Sequence, residues 1–585
     1  MLKLFKNLGK KSIIFVLIAI ILISLQVYLE LKIPDFMSKI TILVETEGSK
    51  MSEIIKNGSK MLVCAFGSLI VSIIVGYIGA NVSAIFSLKT RKILFDKVLN
   101  LDLHEAKSIS TSSLITRTTN DITQVEMFIA MGMVLIIKAP ITALWAIKKI
   151  LNKSWQWSAV TALCVLILLC VISVIILVVL PRFKIIQKLT DKLNSVTREN
   201  LTGIRVVRAF NGEKYQENKF SKVNNDLTST LLFNQRMFAI LMPVIYLVMY
   251  SLTLSIYAIG AKLIMDANLS DKLYLFGDMI VFSSYAMQVI ISFLMLSLIF
   301  MFLPRASVSA KRINEVLDKD ITIIDGDYDE DTKIKGKVEF KNVSFKYPDA
   351  EEYLLRNITF TADKGETVAI VGSTGSGKSS LINLIPRFYD ATEGEILIDG
   401  INVKEYKKSN LYNKLGYVPQ KASLFNGDII YNTSFGETKE KITKKDVYEA
   451  IRVAQAEEFV KKMDKGYKSN IAQSGTNISG GQKQRLSIAR AVVRKPEIYI
   501  FDDTFSALDY KTDYLLRKEL KKFTKDSTSI IVAQRIGTII NADKIIVLDE
   551  GKCVGIGKHK ELLKTCKVYK EIALSQLSKE ELENA

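Results

Sequence analysis

Glu366–Tyr389 reads ETVAIVGSTGSGKSSLINLIPRFY. An apolar, β-branched run ends at Gly372-Ser373-Thr374-Gly375-Ser376-Gly377-Lys378-Ser379, and Ser380 opens a helix-patterned stretch. Strand, glycine-rich loop and helix, in that order, form the setting in which backbone amides converge on phosphate oxygens. The glycines allow the backbone to fold that tightly, Lys378 supplies charge to the outer phosphates, and Ser379 offers a hydroxyl to Mg²⁺. From Gly336 onward, short β-rich runs such as KVEFKNVSF alternate with helical stretches. This alternation predicts an α/β domain with an attached antiparallel part.

Two further stretches bear on the same chemistry. The apolar strand EIYIF ends in Asp502-Asp503, which places one carboxylate for a metal and the next for an attacking water. Taken alone, that pair also suits a solvated acidic turn after a strand. Ile478-Ser479-Gly480-Gly481-Gln482 precedes the helical KQRLSIARAVV. A serine and two glycines opening a helix make a second anion site, because the free amides and the helix dipole both face the incoming charge. One chain therefore carries two phosphate-binding ends far apart in sequence.

The N-terminal half reads differently. The chain of 585 residues is too long for one core, and its first half holds six apolar runs long enough to cross a bilayer core of about 30 Å. They lie near Ile13–Ile33, Met61–Phe86, Phe128–Ile147, Trp157–Leu180, Met237–Leu263 and Leu275–Leu303. The first could pass for a signal peptide, but no small-residue cleavage site follows it, so it is expected to be retained. Lys3, Lys6, Lys10 and Lys11 precede the first run, and Lys89, Arg91 and Lys92 follow the second. By the positive-inside rule, both termini are expected in the cytoplasm. Lys148, Lys149 and Lys153 then fall in an outer loop, against that rule. Lys138 lies well inside the third run, either lining a cavity or snorkelling its charge to the surface.

A net charge of +19 would suit nucleic acid in a soluble protein, but Lys and Arg are spread over loops and helix ends here. Anionic lipid headgroups are the expected counter-charge, and no nucleic acid. The five cysteines show no metal-ligand spacing and are expected to form neither a disulfide nor a metal site. The expected division is a membrane domain over 1–318, a charged linker over 319–335 and a nucleotide-binding domain over 336–585.

These motifs together resemble an ATP-binding cassette (ABC) half-transporter of the exporter type over essentially the full length. GSTGSGKSS resembles the Walker A motif, IYIFDD the Walker B, ISGGQKQR the family signature, and Ser506-Ala507-Leu508-Asp509 the D-loop. Gln420 in VPQKASLFNGDI falls at the Q-loop glutamine, and Tyr347 in FKYPD resembles the aromatic that stacks on adenine. SLITRTTNDI and RENLTGIRVVRAFNGE resemble the two cytoplasmic loops that carry coupling helices. The resemblance implies a six-helix membrane bundle with long cytoplasmic extensions, fused to an α/β P-loop NTPase. It implies ATP and Mg²⁺ as ligands, with Ser379, Gln420 and Asp502 on the metal. It also implies a second half-transporter as partner, since each ATP is sandwiched between one chain's Walker motifs and the other's signature.

Two positions depart from the family pattern. Asp503 stands where a catalytic Glu is usual, one methylene short of reach. Gln534 stands where a switch-loop His is usual, and it cannot carry an imidazolium charge. The implied protein is the degenerate-site subunit of a heterodimeric exporter whose partner carries the Glu and the His. It would move a hydrophobic, amphiphilic or drug-like compound across the plasma membrane. The competing readings are a homodimer hydrolysing slowly at both sites and a nucleotide-gated channel or regulator. Abundant Lys and Ile point to a low-GC bacterium.

Overall fold

A computed structural model of the chain describes residues 2–6, 9–46, 48–151 and 153–577. Two compact units emerge, one of residues 1–100 and 109–319, the other of residues 101–108 and 320–585.

The first unit is helical. Its six long helices are α1 (Lys10–Glu45), α2 (Met51–Asn100), α3 (Ile122–Leu151), α4 (Trp155–Thr202), α5 (Glu213–Asp266) and α6 (Leu269–Leu317). All six are long and apolar enough to cross a membrane, and each contains one of the apolar runs. The 48 residues of α4 rise about 72 Å at 1.5 Å per residue, so some 40 Å of it must extend beyond a 30 Å hydrocarbon core. Only 17–33% of residues in the most apolar windows are buried within the chain, which leaves lipid or a partner chain to cover the rest. Pairs α1–α2, α3–α6 and α4–α5 pack most extensively. Their shared core gathers Ile23, Val75, Trp157, Ile245 and Phe282. The Trp157 indole N–H donates to the Ile256 carbonyl at 3.1 Å, so this buried polar atom is satisfied.

Two of the three lysines after the third apolar run have acidic partners. Lys149 Nζ lies 2.7 Å from Asp35 Oδ2, and Lys153 pairs with Asp278. Lys138 also has a partner, Glu30, at 2.8 Å.

In the second unit, a six-stranded sheet runs in the order β12-β11-β3-β10-β9-β6. Its strands are β3 (Thr367–Gly372), β6 (Leu415–Val418), β9 (Ile498–Asp502), β10 (Thr528–Val532), β11 (Lys544–Asp549) and β12 (Lys552–Gly557). All are parallel except β12, which pairs antiparallel at the edge. Val368–Val371 and all of β9 are buried, as expected of parallel strands covered on both faces. A separate antiparallel sheet has the order β2-β1-β4-β5, with β1 Val338–Phe345, β2 Leu355–Ala362, β4 Glu393–Ile398 and β5 Ile401–Asn402. The charged stretch before β1 is ordered against this unit. Tyr328 bridges to Tyr406, and the Asp102 carboxylate accepts from the Thr322 amide at 2.6 Å.

One local expectation changes. The helix after the phosphate loop ends at Asn383 rather than continuing through LINLIPRFY. Pro386 has no amide to donate, and Arg387 is left-handed at φ 56°.

Candidate nucleotide site

Parallel strands β3 and β9 flank β10, so their C-terminal ends deliver the glycine loop and Asp502-Asp503 to one edge of the sheet. Ligands of open α/β sheets bind at this edge. Gly375 and Gly377 take φ +87° and +92°, where a side chain is strained. At Gly372, a Cβ would lie 2.1 Å from the Leu548 carbonyl oxygen.

Inside this loop, Lys378 Nζ donates to the carbonyls of Gly372 at 2.9 Å and Ser373 at 2.7 Å. Burial pulls the Lys378 ammonium below its ordinary value, while the charges of Asp503 and Asp502 oppose that shift. Ser373, Thr374 and Gly375 form an exposed rim. Ser376 Oγ is buried with no hydrogen-bond partner among the described residues. A buried hydroxyl left over in a cradle of this shape suits an anionic oxygen, and the loop thus fits the nucleotide phosphates that the sequence implied.

Ser379 Oγ donates to Asp502 Oδ1 at 2.9 Å, bringing together two of the three residues expected on Mg²⁺. Burial raises the Asp502 carboxyl above its usual range, with neighbouring Asp503 adding to the rise and the Ser379 hydrogen bond opposing it. A cation there would relieve a buried carboxylate that the Lys378 ammonium compensates only in part. The third expected ligand, Gln420, is turned elsewhere: its amide donates to Asp503 Oδ2 at 3.2 Å. Gln534 donates to the same oxygen at 2.8 Å. Asp503 itself is buried, with left-handed backbone at φ 44°. Sequence reasoning singled out all three residues but missed that two amides converge on one carboxylate oxygen.

Tyr347 lies at the loop's far side, its hydroxyl 2.8 Å from Ser380 Oγ and its ring edge-on to Tyr389. The signature segment forms a helix over Gly480–Val492. Ser479 caps it, accepting from the Gln482 amide at 3.3 Å, and the Gln482 side chain accepts from the Ser479 amide at 2.9 Å. This reciprocal box holds the helix start rigidly. A Cβ at Gly480 would meet nothing within 4 Å, whereas one at Gly481 would meet the Ala507 carbonyl at 3.2 Å.

Comparison with known proteins follows the same division. Residues 13–293 match the model of the ABC transporter transmembrane region, and residues 355–506 match the ABC transporter domain. An uncharacterised ABC transporter ATP-binding protein of Mycobacterium tuberculosis (strain ATCC 25618 / H37Rv) is 37% identical over 518 residues, covering 88% of this chain and 87% of the relative. The chain belongs to the ABC transporter family.

This ABC transporter chain is a multi-pass membrane protein with an ATP-binding cassette, an ATPase domain of the kind that is coupled to transport. An ATP-dependent lipid A-core flippase of Pseudoalteromonas translucida is 31% identical over 510 residues, covering 86% of the chain and 85% of the flippase. The fold matches that of a bacterial Atm1-family ABC exporter with ATP bound, at a TM-score of 0.80 and 22% identity over 97% of this chain and 99% of that one.

Proposed function

We propose that this chain is one half of an ATP-driven exporter, paired with a non-identical half-transporter, and that its own Walker residues hold ATP without hydrolysing it efficiently. The observation that carries this reading is the state of Asp503. A general base must bring a carboxylate oxygen within hydrogen-bond reach of its water, and the Asp503 side chain is one methylene shorter than the usual Glu and tethered in place by two amides. Asp503 Oδ2 accepts from Gln420 and Gln534 together. Neither amide can take the place of a charged imidazolium at the γ-phosphate.

ATP binding is spared by these features. The glycine loop and Lys378 cradle the phosphates, Ser379 and Asp502 would hold Mg²⁺, Gln420 would join them only on releasing Asp503, and Tyr347 would stack on adenine. When bound, the metal offsets phosphate charge and orients the nucleotide. The signature of this chain serves the partner's nucleotide: the Ser479 cap is formed, and the open space at Gly480 means that its own chain's packing does not require glycine there. Closing of the two cassettes on ATP drives the membrane helices between inward and outward access.

The cargo is a hydrophobic or amphiphilic compound, a class supported by the apolar bundle and by the flippase relative. Both termini lie in the cytoplasm at the plasma membrane of a low-GC bacterium, and the division at 318 and 336 separates the domains. The experiment is Mg-ATP hydrolysis by the chain alone in lipid and again with the half-transporter that co-purifies with it, with Lys378→Ala as control. Near-background turnover alone that rises strongly with the partner supports the heterodimer. Robust Lys378-dependent turnover by the lone chain would hand the reading to a homodimer.

A further inference from the structure

The nucleotide reading does not use the charged residues of the membrane unit. Glu30 on α1 and Lys138 on α3 are 108 residues apart, yet their charged atoms lie 2.8 Å from one another. Glu30 Oε1 also accepts from the Gln26 amide at 2.9 Å and from the Ser68 hydroxyl on α2 at 3.1 Å. Three helices thus converge on one carboxylate oxygen. Glu30 lies 20 residues beyond the start of α1, about 30 Å along its axis. Toward the same end follow Asp35 with Lys149, and then Asp278 with Lys153.

Ionisable side chains at membrane depth are costly and mark sites and pathways. The Glu30 and Lys138 side chains are 24% and 16% exposed, so within this chain the pair is reachable rather than sealed. All three donors use Oε1, so among the described residues Oε2 has no partner, and two of the three Lys138 protons are uncommitted in the same way.

We propose that Glu30 and Lys138 form the headgroup subsite for the transported amphiphile, and that it takes zwitterionic headgroups, an amine beside a phosphate or carboxylate. This inference rests on the export reading and specifies its cargo. The physical argument is partner exchange. Separating this part-buried ion pair leaves each charge uncompensated in a low-dielectric setting, at a cost. A ligand with one charge repairs only half of that loss. A zwitterion repairs both, its amine meeting Glu30 Oε2 and its anion meeting Lys138, so entry and exit exchange one neutral arrangement for another. The paired Asp35–Lys149 and Asp278–Lys153 repeat the same neutral chemistry farther along.

The test measures binding to the full chain in nonionic detergent, with its partner where one co-purifies, by ligand-induced thermal shift without nucleotide. The probes are dihexanoyl phosphatidylethanolamine, dihexanoyl phosphatidylglycerol, dodecylammonium and N-dodecylglycine. The wild type should bind phosphatidylethanolamine at least about tenfold more tightly than the anion or the cation. N-dodecylglycine binding comparably assigns recognition to the zwitterion itself, and binding of the phospholipid alone adds a requirement for two acyl chains. Glu30→Gln should shift preference to the anion and Lys138→Met to the cation. The double variant Glu30→Gln/Lys138→Met, which keeps a neutral site should either single variant fail to fold, should bind phosphatidylethanolamine, phosphatidylglycerol and dodecylammonium within about threefold of one another. A wild type without the preference, or a double variant that keeps it, overturns the proposal. Loss of the preference while Lys378-dependent ATP turnover persists removes the subsite alone. Absence of any such turnover, with or without a partner, removes the export reading instead.

Discussion

Asp503→Asn separates a working base from a spectator. Asn suits the left-handed backbone at φ 44° as well as Asp does, so the substitution adds no strain. Its carbonyl oxygen still accepts from Gln534, now 2.8 Å from Asp503 Oδ2. A hydrogen bond to a charged group contributes about 1.5–3 kcal/mol and a neutral one about 0.5–1.5, so weakening the two amide contacts costs roughly 2 kcal/mol. Removing a buried carboxylate next to Asp502 offsets about half of that. The net expectation is about 1 kcal/mol of lost stability, or about 2–4 °C in the cassette's thermal transition. Turnover should change less than about threefold, because a side chain one methylene short and tethered by two amides is held back from the water it would deprotonate. The assay is steady-state Mg-ATP hydrolysis in lipid by the chain purified from its native membrane with whatever partner accompanies it, alongside calorimetry. A fall of about 100-fold or more in turnover, the size expected for loss of a general base, with the transition within 2 °C of wild type, would refute the reasoning.

Two predictions concern charges in the cassette. Asp502 is raised above its unfolded value of about 4, so the folded state binds its proton more tightly, and without nucleotide its contribution to stability improves as pH falls through the raised value and levels off below about 4. Asp502→Asn should flatten that slope in calorimetry, raise the nucleotide-free transition by a few degrees and abolish Mg²⁺-dependent ATP binding; an unchanged slope would count against it. Lys414 lies 2.7 Å from Asp399 and 2.8 Å from Glu497, with the Asp399 side chain fully buried. Lys414→Met should cost about 3–5 kcal/mol and lower the cassette transition by some 10 °C, and a drop under 3 °C would show that the cluster is dispensable.

The parts of this chain that were legible in its sequence are those whose physics is local. Gly375 and Gly377 require positive φ within a five-residue reach, and the apolar runs declare themselves by length alone. What escaped was long-range or masked by polarity. Gln420 meets Asp503 across 83 positions and Lys138 meets Glu30 across 108, and no spacing rule encodes either pairing. The continuation of the membrane helices beyond their apolar runs, by contrast, was legible, and α5 extends to 54 residues. The stretch after Lys319 reads as a charged tether, yet Thr322 and Tyr328 are fastened by contacts to Asp102 and Tyr406 that composition does not reveal.

Gly372 and Gly377 are held by steric demands of the cassette's own packing: a Cβ on the first would overlap the Leu548 carbonyl, and one on the second would approach Leu355 Cδ2 to 2.7 Å. Asp503 and Gln534 meet side chain to side chain, with Gln420 on the same carboxylate oxygen, and no backbone contact of that kind fixes their identity. Relaxed selection on hydrolysis would therefore leave its mark unevenly. Drift in a lineage with a silent ATP site can alter the second pair freely, while the phosphate loop stays intact in appearance because changing it would damage the scaffold first. A pristine glycine loop is thus a poor gauge of whether a cassette still turns over ATP, and the residues that cost least to lose are the ones that record its history.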